Sequence, residues 1–287
     1  MVSNAPAFNA ERFKSSTRDQ WNKYGSGYNT WGHVIDGLIH QGGSRMMDLA
    51  GLSVGDFVLE LAAGSGVMTL KAAERVGPQG SVLATDLSPG ILAFSEQNAK
   101  AKGFDNVKTQ VIDGEAVDLE EDSFDAVMSS LGLMFFPDPL RSLTAQRRVV
   151  RPGKTVAALV ISTPDKNPFF AIPAKVIRER ANLPPPAPGL PGPFALGAPG
   201  LIEGMFEKAG LGNVVREVFS GTLALPSVAD HLRFLSDAFA ALHQMMIQLS
   251  EEEKSAVWEE AGQALGGFQT AEGFRCPYEL IVCVGTK

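Results

Sequence analysis

The feature that most constrains this chain is the stretch Val58-Leu-Glu-Leu-Ala-Ala-Gly-Ser-Gly66. A short apolar run with a carboxylate near its end passes into small residues, and Val67 to Val76 continues with helical spacing. Such a turn lets backbone N–H groups and a helix N-terminus approach a ligand closely, although any tight strand-to-helix connection can also require glycine. A second strand, Ser81-Val-Leu-Ala-Thr85, ends at Asp86, which stands 20 positions beyond Gly66. In nucleoside-binding sheets an acid at that place grips ribose hydroxyls. A dinucleotide site wants a third small residue where this chain has Thr69. A β-branched side chain suits the packing around a pyrophosphate poorly, which makes a nicotinamide or flavin enzyme the weaker reading.

Strands and helices keep alternating from there. Ser88 reads as an N-cap with Pro89 in the first turn of a helix running to about Lys102. Val107 to Ile112 and Phe124 to Ser130 read as strands, Pro139 to Val150 as a helix and Thr155 to Ser162 as a fifth strand. The pattern predicts a parallel sheet with helices on both faces. After Ser162 it changes, because the proline-rich run from Pro184 to Pro193 can form neither helix nor ladder and must be a surface loop. Pro199 to Ala209 reads as a helix, Val214 to Leu223 as a strand, and Val228 to Leu249 as one amphipathic helix capped by Ser227. Ser250 to Glu253 resembles a capping box, and Tyr278 to Val284 closes the chain as a strand. The expected division is an N-terminal helical cap over 1–50, a core over 51–163 and a Pro/Gly-rich lid insertion over 164–198. A core helix and strand six follow over 199–226, a helical lid insertion over 227–273 and the last core strand over 274–287.

Composition narrows the partners. A net charge of −7 argues against nucleic acid, since neutralising phosphates needs clustered Lys and Arg. The segment from Met1 to Lys23, which carries Asn4, Glu11, Arg12, Lys14 and Asp19, lacks the apolar centre of a signal peptide. No apolar run approaches the roughly 18 residues of a membrane span, so a cytoplasmic location without stable membrane insertion is the expectation. Cys276 and Cys283 are an odd number of positions apart in one strand, on opposite faces, which makes a disulfide between them improbable. With no Cys-x-x-Cys pair and no close His and Cys, no metal is expected.

These motifs together resemble the class I S-adenosylmethionine-dependent methyltransferases, and within them the ubiquinone/menaquinone-biosynthesis-like group, from about Trp21 to the end of the chain. That family's first motif reads acid-x-G-x-G-x-G, and here Glu60-Leu-Ala-Ala-Gly-Ser-Gly66 has Ala62 at the first glycine. The resemblance implies that Glu60 orients the turn at the methionine end of the cofactor and that Ala62, Gly64 and Gly66 form the turn that admits it. Asp86 binds the ribose and Leu87 packs on adenine. Ile112-Asp-Gly-Glu-Ala116 resembles the segment that reads adenine, with Ile112 where glycine is usual; Asp113 accepts from the exocyclic amine and Gly114 offers its amide. Taken alone, Asp113 reads more simply as a solvated turn carboxylate. The loop from Ser129 to Asp138 resembles the one between cofactor and acceptor, so Ser129 or Ser130 bonds the methionyl portion, while Met134 and Phe135 touch the acceptor or are simply core.

Trp21, Tyr24, Tyr28 and Trp31 recur at near-helical spacing, a stripe that docks on the core and, in related enzymes, covers the cofactor. An aromatic face beside a sulfonium is electrostatically sensible. Tyr24 is thereby assigned to the cofactor, and Tyr28 and Trp31 to the acceptor. His33 is the one candidate general base, though a lone histidine there is more simply structural. His231 and His243 read as lid-surface residues. The implied fold is a Rossmann-like seven-stranded α/β sheet, the class I methyltransferase fold, with an N-terminal helical cap and helical lid insertions on both sides of strand six. The implied activity is SN2 methyl transfer from S-adenosyl-L-methionine to a small, largely apolar acceptor molecule. Alignment in a dry site is then the main task, in keeping with a chain of four histidines and no triad. Two rivals stay open: a methyltransferase fold turned to a non-methylating reaction such as a cyclisation, and a non-enzymatic module that binds an adenosyl ligand. The acceptor atom is open among oxygen, nitrogen and carbon.

Overall fold

A computed structural model describes residues 8–287; residues 1–7, including Asn4 of the leader reading and the start of the expected cap, lie outside the described residues. Helices α1 (Ala10–Thr30) and α2 (Gly32–Leu49) precede the first strand. Asn9 caps α1 by accepting from the backbone N–H of Arg12 at 2.8 Å. Then β1 (Phe57–Leu61), α3 (Val67–Val76), β2 (Ser81–Asp86), α4 (Pro89–Ala101), β3 (Val107–Val111), β4 (Phe124–Ser130), α5 (Pro139–Val149) and β5 (Val150–Ile161) follow in the expected alternation. Ser88 caps α4, with Pro89 in its first turn.

The second half comprises α6 (Pro168–Arg180), α7 (Leu201–Lys208), β6 (Gly212–Leu225), α8 (Val228–Ala238), α9 (Ala240–Met245), α10 (Glu251–Ala264), the two-residue β7 (Gln269–Thr270) and β8 (Gly273–Thr286). The strand order is β3-β2-β1-β4-β5-β8-β6, with β7 on β8. The first five strands pair in parallel and β8 runs antiparallel to both β5 and β6. This is the Rossmann-like α/β sheet that the sequence predicts, with its seven long strands and one short hairpin partner. The core strands Val156 to Ile161 and Leu280 to Cys283 are 2% exposed or less, as strands covered on both faces must be.

Two sequence expectations differ. The single helix expected over Val228 to Leu249 is broken at Phe239, whose φ of −119° and ψ of 80° leave the helical region. The ring of Phe239 packs between Phe170 and Phe234, at centroid distances of 5.2 and 5.3 Å. An uninterrupted helix would carry that ring away from the cluster, and the aromatic packing wins over the continuous apolar stripe. His231 is not on a lid surface: it is fully buried. Cys276 and Cys283 are buried free thiols whose pKa burial pushes up to about 12, so neither is a ready nucleophile. Among the described residues no helix is long and apolar enough to cross a membrane.

Candidate functional site

The β1–α3 turn is built on left-handed backbone. Ala62, Gly64 and Gly66 have φ values of 55°, 57° and 90°. Glycine adopts these freely, whereas for an L-residue such as Ala62 they cost on the order of 1–2 kcal/mol. At Gly64 a Cβ would also meet the Tyr28 ring at 3.6 Å and Ile91 at 3.7 Å. Asp86 sits beside this turn at the carboxyl end of β2. Its Oδ2 accepts from the Gly64 N–H at 3.0 Å and its Oδ1 from the Ser88 N–H at 2.9 Å. Burial pushes its pKa up to about 6, against the lowering pull of the Ser88, Gly64 and Leu87 amides.

Glu60 lies deeper, 1% exposed, and accepts from the Thr69 hydroxyl at 2.5 Å. Burial pushes its pKa up to about 8; the Thr69 bond lowers it and the neighbouring charge of Asp86 raises it. Thr69, the residue that breaks the dinucleotide pattern, therefore has a positive role: its hydroxyl satisfies the buried carboxyl.

One cavity opens over the carboxyl ends of β1 to β5, the place where sheets of this class hold ligands. The space between its walls, with its open mouth, is about 1170 Å³. Of the residues singled out in the sequence it brings together Tyr28, Ala62, Gly64, Asp86, Leu87, Asp113, Gly114, Ser130, Met134 and Phe135. Others stand off the wall. Glu60 and Ser129 are buried behind it, and Gly66 lies where α3 meets α4, its absent Cβ pointing at Ser95. Tyr24 stacks on His243 at 4.9 Å with an interplanar angle of 5°. Trp31 donates from Nε1 to Asp237 at 3.0 Å and packs edge-on against Phe234. His33 is exposed in a separate outer groove beside Asp36 and Lys71. In α2 the face carrying Ile35 and Leu38 turns to the cavity and His33 lies off it. Tyr24 shares one face of α1 with Phe13, Thr17, Trp21 and Tyr28 but meets His243 of α9 at its level, and Trp31, the residue between α1 and α2, meets Asp237 of α8.

The strand order separates the cavity's chemistry. On the β1–β3 side the wall carries Lys14, Tyr28, Asp86, Asp113 and Glu115. Lys14, which no motif marks, reaches from α1 to Asp113 at 2.8 Å and to Glu115 at 2.7 Å. Burial works against its charge, but the two carboxylates outweigh that and raise its pKa. Tyr28 is held as a neutral phenol, its pKa raised by burial and by the charges of Asp86 and Glu60. On the β4–β5 side, three and four inter-strand steps or about 14 and 19 Å from β3, the wall is Met134, Phe135, Ile161, Phe169, Pro193 and Phe239. Among the described residues no titratable side chain lines that half. The proline-rich loop docks there: Gly192 donates its N–H to the Met134 carbonyl at 2.9 Å, which sets Pro193 into the wall.

The charged half, together with the end of β4 beside it, fits an adenosyl ligand on three counts. The buried Oγ of Ser130, on the wall, has no hydrogen-bond partner among the described residues. Asp86 retains carboxylate lone pairs beyond its amide bonds, since each oxygen can accept more than once. The Gly64 backbone is bare at the wall where a side chain would stand.

Comparison with known proteins bears on this cavity. The ubiE/COQ5 methyltransferase family model matches residues 14–174. The demethylmenaquinone methyltransferase of Bacillus subtilis is 31% identical over 197 residues, covering 63% of this chain and 81% of that protein. The aklanonic acid methyltransferase of a Streptomyces species is 32% identical over 115 residues, 40% of this chain and 52% of that protein. Among solved structures, the Bacillus YcgJ protein superposes with a TM-score of 0.56 at 17% identity, over 86% of this chain and 98% of that one. A Haemonchus contortus phosphoethanolamine N-methyltransferase, in complex with S-adenosylhomocysteine, does so with a TM-score of 0.58 at 15% identity, over 94% and 60%. At these identities the structural likeness is one of fold.

Proposed function

The chain belongs to the ubiE/COQ5 methyltransferase family, and on that footing we propose that this S-adenosylmethionine-dependent methyltransferase acts on a small, largely apolar acceptor of the phenol or hydroquinone type. The observation that carries the proposal is the partition of one cavity into a charged half over β1–β3 and an apolar half over β4–β5. S-adenosylmethionine supplies an electrophilic methyl group on a sulfonium, open to a single displacement. Asp86 would hold its ribose hydroxyls, Asp113 and the Gly114 amide its adenine edge, and Ser130 with the Ala62–Gly64 turn its methionyl part.

The apolar half then has two tasks. It excludes water and holds a flat acceptor ring against Met134, Phe135 and Phe169, and a nucleophile aligned in a dry site gains most of its rate from that alone. It offers no carboxylate to pair with a cation, so an alkylamine, charged at neutral pH, would be buried unpaired there, whereas a phenol or hydroquinone enters neutral. Relatives named for demethylmenaquinone and aklanonic acid agree with that class of acceptor. The test is incubation with methyl-labelled S-adenosylmethionine and a panel of naphthohydroquinones, simple phenols and alkylamines. Label appearing in the hydroquinone or phenol products supports the reading. Transfer to the amines alone, or conversion of an acceptor with no cofactor consumed, refutes it.

A further inference from the structure

Pro173 lies inside α6. In an α-helix the N–H of residue 173 bonds the carbonyl of residue 169, and proline has no N–H to give, so Phe169 is left with an open carbonyl in the helix's first turns. The structure supplies the missing donor from another part of the chain: Nε2 of His231, on α8, stands 2.7 Å from the Phe169 oxygen. A carbonyl only accepts, so this contact fixes His231 as the Nε2–H tautomer. His231 is fully buried, stacked on Phe274 at 4.4 Å and 16° and flanked by Phe169 at 6.3 Å and Phe234 at 6.2 Å. A phenylalanine would suit such surroundings better unless the hydrogen bond mattered.

We propose that His231 is a positioning residue for the acceptor, holding Phe169 in the apolar wall by closing the carbonyl that Pro173 leaves open. The proposal rests on the apolar half being the acceptor site. Phe169 is gripped from two sides. Asn167, fully buried just before it, donates to Ser162 Oγ at 3.2 Å and to the Thr163 carbonyl at 2.9 Å, and accepts from the Glu279 N–H at 2.9 Å, which ties the start of α6 to β5 and β8. His231 supplies the second tie, to α8. Phe169 borders the cavity yet leaves no water-accessible surface, so it backs the wall, and a small rotation of the first turn of α6 moves it into or away from the acceptor's space. The bond also joins the two lid segments, one before β6 and one after it, through a side-chain-to-backbone hydrogen bond and not only through interchangeable apolar contact.

The test is a double-mutant cycle of His231→Phe and Pro173→Ala, because the alanine returns the missing N–H within the helix. Chemical denaturation of the four proteins, bound to S-adenosylhomocysteine, should show His231→Phe lowering the folding equilibrium constant about tenfold or more with Pro173 present and far less in the Pro173→Ala background. Steady-state kinetics with 1,4-naphthohydroquinone as acceptor should show His231→Phe raising the KM for the hydroquinone about tenfold while leaving the KM for S-adenosylmethionine within twofold, and the double variant should recover most of the loss. Additive stabilities overturn the proposal, as does equal damage to both KM values. Non-additive stabilities in a protein that methylates no hydroquinone leave the His231 bond standing and refute the acceptor reading instead.

Discussion

Asp86 offers the sharpest test of how the charged half binds its ligand. Replacing it with Asn keeps the shape but leaves one oxygen where there were two. Since Gly64 and Ser88 donate to different carboxylate oxygens, at 3.0 and 2.9 Å, the new NH2 group must face one of these amides, and a buried N–H left unpaired costs roughly 1–3 kcal/mol of stability. Binding suffers separately. A hydroxyl bonded to a charged acceptor contributes about 1.5–3 kcal/mol, against about 0.5–1.5 for a neutral one, so two ribose hydroxyls together lose on the order of 2–3 kcal/mol, or roughly 30- to 150-fold in affinity. Calorimetry with S-adenosylhomocysteine at pH 8, where wild-type Asp86 is ionised, measures this directly. The pH dependence provides an internal control. With its pKa near 6 before the ligand binds, wild-type Asp86 takes up a proton as the pH falls through 6, so wild-type affinity should drop toward that of the variant by pH 5 while the variant stays flat. An Asp86→Asn protein within twofold of wild type at pH 8, or equal pH slopes in the two proteins, would refute the assignment of the ribose to this carboxylate.

Lys14→Met removes the cation between Asp113 and Glu115 and leaves two carboxylates facing each other; S-adenosylhomocysteine should leave the protein roughly tenfold faster in stopped-flow displacement, and an unchanged off-rate would show that the end of α1 does not guard the site. His33→Ala should keep kcat within twofold, because His33 is exposed outside the cavity, and a 100-fold loss would restore it as a general base. Without cofactor, Glu60 keeps its proton in the folded protein up to about pH 8 but loses it near the ordinary carboxylate value of 4.5 when unfolded. Its stabilising contribution is therefore complete below pH 4.5 and lost as the pH rises to 8, by up to about 5 kcal/mol. His231 acts in the opposite sense, costing stability as the pH falls from 6.5 toward about 4. Denaturation of Glu60→Gln should flatten the decline between pH 6.5 and 8.5, and an unaltered slope would move its origin elsewhere.

What the sequence disclosed was local. The β1–α3 turn, Asp86 at the end of β2, the caps at Ser88, Ser227 and Ser250, and the Asp113-Gly114 loop each depend on residues within a few positions of one another, and each lies where it was expected. What it hid depends on contacts between remote segments. Lys14 meets Asp113 across 99 positions, and His231 meets Phe169 across 62, and neither carries a motif. One clue was available for His231: a proline inside a helical stretch leaves a carbonyl open and calls for a donor from elsewhere. Aromatic spacing in α1 located a covering helix and its inward face but not which remote segment stands opposite each of its turns. Tyr24 shares that face with Trp21 and Tyr28, yet it meets α9 and Trp31 meets α8, while Trp21 and Tyr28 meet the cavity.

The contacts of Tyr24 and Trp31 also determine how the two ligands influence each other. Stacking on His243 and bonding Asp237, they fasten α1 to the helices that roof the apolar half. Gly27 lets the helices come so close that a Cβ there would fall 2.1 Å from the Asp237 carbonyl oxygen. Covers joined in this way do not open one at a time. A cofactor that settles α1 also settles α8 and α9, so the acceptor meets a roof whose ordering entropy has already been spent. The coupling is reciprocal by thermodynamic necessity: whatever factor the cofactor adds to the acceptor's affinity, the acceptor returns to the cofactor. Saturation curves for either ligand should therefore shift with the concentration of the other, even though the sites proposed for them lie in opposite halves of the cavity.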